Sequence, residues 1–224
     1  MNNVGAVIVG AGEGHRFGKP KSLIELKGRP MFQYSLEALW NAGITEITVV
    51  LRQEDIAKAV KKNAYNPNMW DTNGTIIFIP GGETRAESVI NGLNFIRSSW
   101  VAIHDVARPL VHLDDINGVI KAAKKYGAAI LAHTITDAVR IGSNGFVHIC
   151  PIHNIVWAAE TPQVFDTKLL KEAYKSIDFE PKDDAEVFDQ RVFPSSIKIV
   201  ESIHPNIKIT YPRDLELAEL LLSA

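Results

Sequence analysis

A chain of 224 residues with 46% hydrophobic and 22% charged side chains has the balance of one soluble α/β core, not that of a disordered or fibrous protein. Its formal charge of -2 supplies no basic field for a nucleic acid or an anionic membrane, so any polyanion must be caught locally. The single cysteine, Cys150, excludes an intrachain disulfide and a thiolate metal cage, and suits a reducing compartment.

Met1 to Val4 carries no basic leader and no apolar run reaches the ~18 residues of a membrane span, so a cytoplasmic protein is expected. Val4 to Val9 is a short apolar run that ends in Gly10-Ala11-Gly12-Glu13-Gly14, the pattern of a buried strand feeding a phosphate-type loop. Similar runs at Ile47 to Leu51, Ile76 to Ile79, Val101 to His104 and Ala128 to Ala132 are predicted strands. Helical spacing separates them at Phe32 to Asn41, Glu54 to Lys62, Arg85 to Arg97 and Asp114 to Tyr126. Alternation of this kind predicts one α/β domain over residues 1–224: a mainly parallel twisted sheet with helices on both faces.

After His133 the rhythm changes. Ala138 to Ile141 and Phe146 to Ile149 alternate around Gly142-Ser143-Asn144-Gly145, a strong hairpin signal. A small β-arm, residues 134–156, is expected to project from the core and to bury its free face against a second copy of the chain. Helices are predicted again at Thr167 to Ile177 and Arg213 to Ser223, with strands at Ile197 to Val200 and Ile207 to Thr210.

Three segments could carry chemistry. The first, GAGEGHRFGKPK, offers three glycines whose amides can approach phosphate oxygens, with Arg16, Lys19 and Lys21 supplying charge. It is not a Walker loop, because Glu13 and Pro20 stand where that pattern needs glycine and Ser or Thr. Nor is it a dinucleotide fingerprint: His15 replaces the third glycine, and the second strand ends in Leu51-Arg52 without a ribose-binding carboxylate. A tight turn with solvated cations is the alternative for this loop.

The second segment, Gly81 to Leu93, opens a helix at Thr84 with Glu87 as capping partner; it is either a second ligand-binding turn or an ordinary capped helix with Arg85 in solvent. In the third, Asp105 follows directly on an apolar strand, where an open α/β sheet aims side chains into its crevice. Mg²⁺ on a triphosphate needs only one or two protein oxygens, and Asp105 is the residue expected to serve it. His148, Cys150 and His153 lie close in sequence, but strand alternation and the lack of a fourth ligand argue against zinc.

Taken together, GAGEGHRFGKPKSLIELKGRPM, GGETRAESVINGL, HDVARPLV, WAAETPQVF, KDDAEVFDQ and NIKITYPRDLELAE resemble the 2-C-methyl-D-erythritol 4-phosphate cytidylyltransferases of the non-mevalonate isoprenoid pathway, in order and over nearly the whole chain. The resemblance implies a Rossmann-like nucleotidyltransferase fold, a homodimer joined through the β-arm, and Mg²⁺-dependent transfer of CMP from CTP to a polyol phosphate with release of pyrophosphate. Carried over by motif, Arg16, Lys21 and Lys208 would be catalytic, with Lys208 beside the acceptor phosphate. Ala11, Gly12 and Gly14 would hold the triphosphate, Gly82, Glu83 and Ser88 the cytosine, and Asp105 and Ala107 the ribose and metal. Arg108, Asp137, His153, Thr161 and Lys182 would line the acceptor pocket, with Asp137 reaching across the subunit boundary.

Two departures fall on that pocket: His153 stands where the family usually has Arg, and Lys182 where it usually has Thr. Losing a bidentate guanidinium and gaining an ammonium can compensate, or can suit another acceptor such as ribitol 5-phosphate. Ser22, Leu23 and Arg140 differ from the family's usual Gln, aromatic and Lys. A silent CTP-binding module is the remaining alternative.

Overall fold

The computed structural model describes residues 3–64, 74–149, 156–191 and 197–223. Along the chain run β1 (Val4–Val9), β2 (Glu25–Leu26), β3 (Arg29–Pro30), α1 (Met31–Asn41), β4 (Glu46–Leu51), α2 (Gln53–Ala64), β5 (Thr75–Pro80), α3 (Arg85–Leu93), β6 (Trp100–Asp105), α4 (Leu113–Tyr126) and β7 (Ala128–Thr134). They are followed by β8 (Ile141–Ser143), β9 (Phe146–Ile149), β10 (Trp157–Asp166), α5 (Thr167–Lys175), α6 (Asp184–Arg191), β11 (Lys198–Glu201) and α7 (Pro212–Leu221).

Seven strands form one sheet in the order β11-β7-β10-β6-β1-β4-β5. All neighbours are parallel except β10, which runs antiparallel to both β6 and β7. Alternation along β1 explains the two-sided core. Val4, Ala6 and Ile8 pack with Phe32, Leu36, Leu39, Val119 and Ile120, under α1 and α4. Val7 points the other way, to Val89, Leu93, Leu170 and Phe188, under α3, α5 and α6. Strands buried on both faces read as unbroken apolar runs, which is why the parallel strands were legible.

The crossovers place β4 and β5 on one side of β1 and β6 on the other, so the switch point lies between β1 and β6. Ligands bind in open α/β sheets at this point, outside the carboxyl ends of the strands.

Four expectations need correction. Ile207 to Thr210 is extended chain and not a strand: Ile209 N–H donates to Ala107 O at 2.8 Å, and no ladder continues from it. The helix after Thr84 ends at Leu93, where the backbone turns through Asn94. The hairpin's first strand is Ile141–Ser143, later than expected, because Asn144 and Gly145 (φ 52° and 82°) form the two left-handed positions of the turn and fix the register around themselves. β10 and α6 were not predicted. Gln163 on β10 ties the two together, its Nε2 donating to Asp183 Oδ2 at 2.9 Å and its Oε1 accepting from Ala185 N at 2.9 Å. No helix among the described residues is long and apolar enough to cross a membrane.

Candidate active site

A cleft of about 340 Å³ opens at the switch point. Its floor is the loop after β1. Gly10 N–H donates to Val50 O at 2.8 Å, which docks the loop against β4. Gly14 then takes φ 69°, and a Cβ there would stand 2.1 Å from Lys19 O; glycine is needed because the loop folds back on itself. Gly12 lines the cleft, and the space where its side chain would stand is open.

The second wall is the turn from β5 into α3. Gly81 passes so close to Ala11 that a Cβ would lie 2.3 Å from the alanine methyl, which brings the two loops together. Thr84 caps α3 by accepting from Glu87 N at 3.1 Å, and Glu87 Oε2 accepts from Glu83 N at 2.7 Å, an offset form of the expected capping box. Ser88 is buried and bonded inward: its Oγ accepts from Gly82 N at 3.1 Å and donates to Thr84 O at 3.0 Å.

Asp105 ends β6 and forms the third wall. Its Oδ1 accepts from Arg85 Nη2 at 3.2 Å and its Oδ2 from Lys208 Nζ at 2.6 Å. Burial would raise this carboxyl's pKa, but Arg85, then Lys208 and Arg108, hold it well below the usual carboxylate range. Arg85 also donates to Asp184 Oδ2 at 2.8 Å, and the fully buried Asp184 accepts from Tyr174 OH at 2.5 Å. Burial opposes the charge on Arg85, yet Asp184 and Asp105 together raise its pKa far above the ordinary value. Lys21 lies across the cleft, its pKa lowered by burial and by the positive charges of Lys208 and Arg16.

Behind Asp105 runs a chain of three hydrogen bonds. Asp105 N–H donates to Thr161 Oγ1 at 3.1 Å, Thr161 pairs with His104 Nδ1 at 3.1 Å, and His104 Nε2 pairs with Arg108 O at 3.1 Å. A neutral His104 with its proton on Nε2 satisfies every partner, and burial lowers its pKa to about 4. Arg108 donates to Asn206 O at 2.6 Å and to Ala159 O at 3.2 Å, while Asn206 Nδ2 donates to Glu160 Oε2 at 3.0 Å and Thr161 O at 2.9 Å. These bonds clamp the segment that delivers Lys208.

Of the residues expected at the site, Ala11, Gly12, Gly14, Lys21, Gly82, Glu83, Ser88, Asp105, Ala107 and Lys208 line this cleft. Arg16 is exposed on the loop just outside the lining. Arg108 and Thr161, expected at an acceptor pocket, stand behind the cleft as its scaffold. Asp137 and Lys182 are exposed away from it, and His153 lies outside the described residues, as does Cys150. Sequence reading missed Arg85 and Ser22, which both line the cleft; the Ser22 hydroxyl is buried there without a hydrogen-bond partner.

The lining sets cations beside glycine-loop amides, a donor set suited to phosphate oxygens, and among the described residues no Ser-His-Asp or Cys-His pair lines it. Comparison with known proteins agrees with that chemistry. A family model described as IspD, 2-C-methyl-D-erythritol 4-phosphate cytidylyltransferase, matches residues 4–224. A protein of that name from Caldanaerobacter subterraneus is 36% identical over 98% of this chain and 99% of its own. Another, from Lachnoclostridium phytofermentans, is 35% identical over 99% of this chain and 97% of its own. Among solved structures, the 4-diphosphocytidyl-2C-methyl-D-erythritol synthase of Anaerococcus prevotii superposes with a TM-score of 0.85 at 29% identity, covering 99% of this chain and 96% of that one. The cytidylyltransferase of Thermus thermophilus gives 0.78 at 28% identity over 99% of both. Motif order, sheet order and the cleft at the switch point thus converge with full-length matches, and the chain belongs to the 2-C-methyl-D-erythritol 4-phosphate cytidylyltransferase family.

Proposed function

We propose that the chain transfers CMP from CTP to 2-C-methyl-D-erythritol 4-phosphate, releasing pyrophosphate. The observation that carries this reading is the convergence of the Gly10 to Lys21 loop, the Gly81-Gly82 turn and Asp105 on one cleft faced by Lys21 and Lys208. An oxygen of the acceptor phosphate attacks the α-phosphorus of CTP, a new P–O bond forms, and the bond to the bridging oxygen breaks, leaving its electron pair on pyrophosphate. No general base is required, because a phosphate monoester with a second pKa near ~6 is already ionised at pH 7. Positioning and charge stabilisation then supply the catalysis.

In this reading the Gly12 and Gly14 amides hold the triphosphate and Lys21, with Arg16 at the loop's outer edge, stabilises charge at the α-phosphorus. Lys208, exposed at the mouth on a flexible stem, leaves Asp105 for the acceptor phosphate. The donor set fits Mg²⁺ carried on CTP: Asp105 offers one ionised, hard oxygen once Lys208 moves, and Arg85 retains Asp184 as its partner. When bound, the ion neutralises the developing charge on the phosphates. The exposed Ile141, Phe146, Val147 and Ile149 on the hairpin support a homodimer formed through the arm, with Asp137, at the start of the arm in sequence, contributing to the acceptor pocket.

The test is pyrophosphate release from CTP and Mg²⁺ with 2-C-methyl-D-erythritol 4-phosphate, ribitol 5-phosphate or no acceptor. Release with the first supports the reading. Release with ribitol 5-phosphate alone would move the assignment to that acceptor, and CTP binding without release from either would leave a silent nucleotide-binding module.

A further inference from the structure

A cavity of about 680 Å³, twice the volume of the cleft, lies at the opposite edge of the sheet. Ser98 and Ser99, just before β6, and Asp166, at the end of β10, mark that edge. Its floor is apolar, made by Ile90, Leu93 and Ile96 from α3 and the segment after it, while α5 forms the facing wall. Volumes of this size with an apolar floor and a few polar groups are characteristic of small-ligand sites.

The charges around it do not cancel. Glu172 is bonded to Lys175 at 2.7 Å, Asp166 uses Oδ1 to cap α5 through Leu169 N at 2.9 Å, and Lys171 donates to Ile96 O at 2.8 Å. The Arg97 and Lys168 side chains are exposed at the rim with no hydrogen bond or ion pair among the described residues. Glu46 accepts from the backbone amides of Arg97 and Ser98 at 2.9 Å each and attracts the Arg97 guanidinium without closing an ion pair with it. Thr167 also lines the cavity, with its hydroxyl buried behind the wall and without a partner among the described residues. An apolar floor and two cations outside any ion pair among the described residues fit an anion with an apolar tail, and the two cations match the charge of a phosphate monoester, ~-1.5 to -2 at neutral pH.

Tyr174 connects this cavity to the cleft. It is one of the residues lining the cavity, its hydroxyl donates to Asp184, Asp184 holds Arg85, and Arg85 holds Asp105. Asp184 is fully buried, so water cannot replace either partner if the tyrosine ring moves. We infer that the cavity between α3 and α5 is a second ligand site, for an amphiphilic phosphate monoester, and that its occupancy changes CTP affinity through Tyr174, Asp184 and Arg85.

Hexyl phosphate is a suitable probe, with inorganic phosphate and hexanol as head-only and tail-only controls. Calorimetry on the full chain should show hexyl phosphate binding well above both controls, and about tenfold weaker binding in the Arg97→Ala/Lys168→Ala double variant with CTP affinity unchanged. Saturating hexyl phosphate should shift CTP affinity by about fivefold, and CTP should shift hexyl phosphate affinity by the same factor. Tyr174→Phe should keep hexyl phosphate binding and lose that coupling. No binding, equal binding of inorganic phosphate, an unaffected rim variant, or coupling that is absent or survives in Tyr174→Phe would overturn the inference. The choice of CTP as reporter rests on the proposed function. A chain that binds no CTP even without hexyl phosphate would count against that function, while the rim measurements would still decide the second site.

Discussion

Lys208 and Asp105, separated by more than a hundred residues of chain, form a 2.6 Å ion pair at the mouth of the cleft. On the proposed function Asp105 would meet a cation and Lys208 an anion, and here each holds the other. Those proposed roles require the pair to part. Lys208→Ala is expected to lower kcat/KM by about 10²- to 10³-fold, the usual cost of removing one preorganised charge-stabilising group. Because the lysine side chain is substantially exposed, its melting temperature should stay close to that of the parent; a large drop would show that the pair is structural.

Arg85 bridges Asp105 and the buried Asp184, so Arg85→Ala should cost about 3–5 kcal/mol of stability by leaving a buried carboxylate uncompensated. Adding Asp184→Asn to that variant should recover part of the stability without restoring activity. Equal and additive losses in a double-mutant cycle, read by denaturant unfolding, would contradict the bridge.

Lys21 is expected to separate function from stability in the other direction. Lys21→Ala should reduce pyrophosphate release by about 10²-fold or more while changing stability by no more than ~0.5 kcal/mol, since the ammonium has a ligand to meet and no packing role. Activity and melting temperature falling together would assign Lys21 to the fold.

His104 predicts an acid limit. Its folded pKa of about 4 lies below the ordinary value of 6.5, so between those values the unfolded chain binds more protons than the folded one, and stability rises with pH. The contribution is complete above about pH 6.5 and is lost as pH falls toward 4, on the order of 3 kcal/mol in all. Urea midpoints measured across that range should show this slope, and His104→Gln should flatten it. Asp105, held ionised to much lower pH, adds no slope there.

Gly14→Ala should weaken CTP binding at least tenfold and cost about 1–2 kcal/mol, because the left-handed backbone and Lys19 O both oppose a Cβ. A crystal structure of that variant with an unmoved loop and normal affinity would refute this.

The parallel strands and the three loops were legible because both are local signals: continuous apolar runs, and glycines where the chain must turn or approach closely. β10 was not, since Glu160, Thr161, Pro162 and Gln163 interrupt it, with an irregular register between Ala159 and Gln163. Its polar side chains are buried for reasons that lie far away in sequence, such as Glu160 with Asn206. α6 carries only Ala185, Val187 and Phe188 as apolar contacts in a charged stretch. Whether Arg85 serves a ligand or stands in solvent stayed open in the sequence because its partners sit 20 and 99 positions downstream. Conversely, Ile207 to Thr210 alternates like a strand, but its alternation serves to bury Ile209 and present Lys208.

The reversed direction of β10 has a consequence for how this fold can vary. Thr134 and Trp157 are register partners, so the chain leaves and re-enters the sheet through adjacent positions on the edge that carries the cleft. Everything between them is a closed detour. It can lengthen, shorten or change its side chains without shifting either strand, so variation there leaves the cleft between the Gly10 to Lys21 loop, the Gly81-Gly82 turn and Asp105 in place.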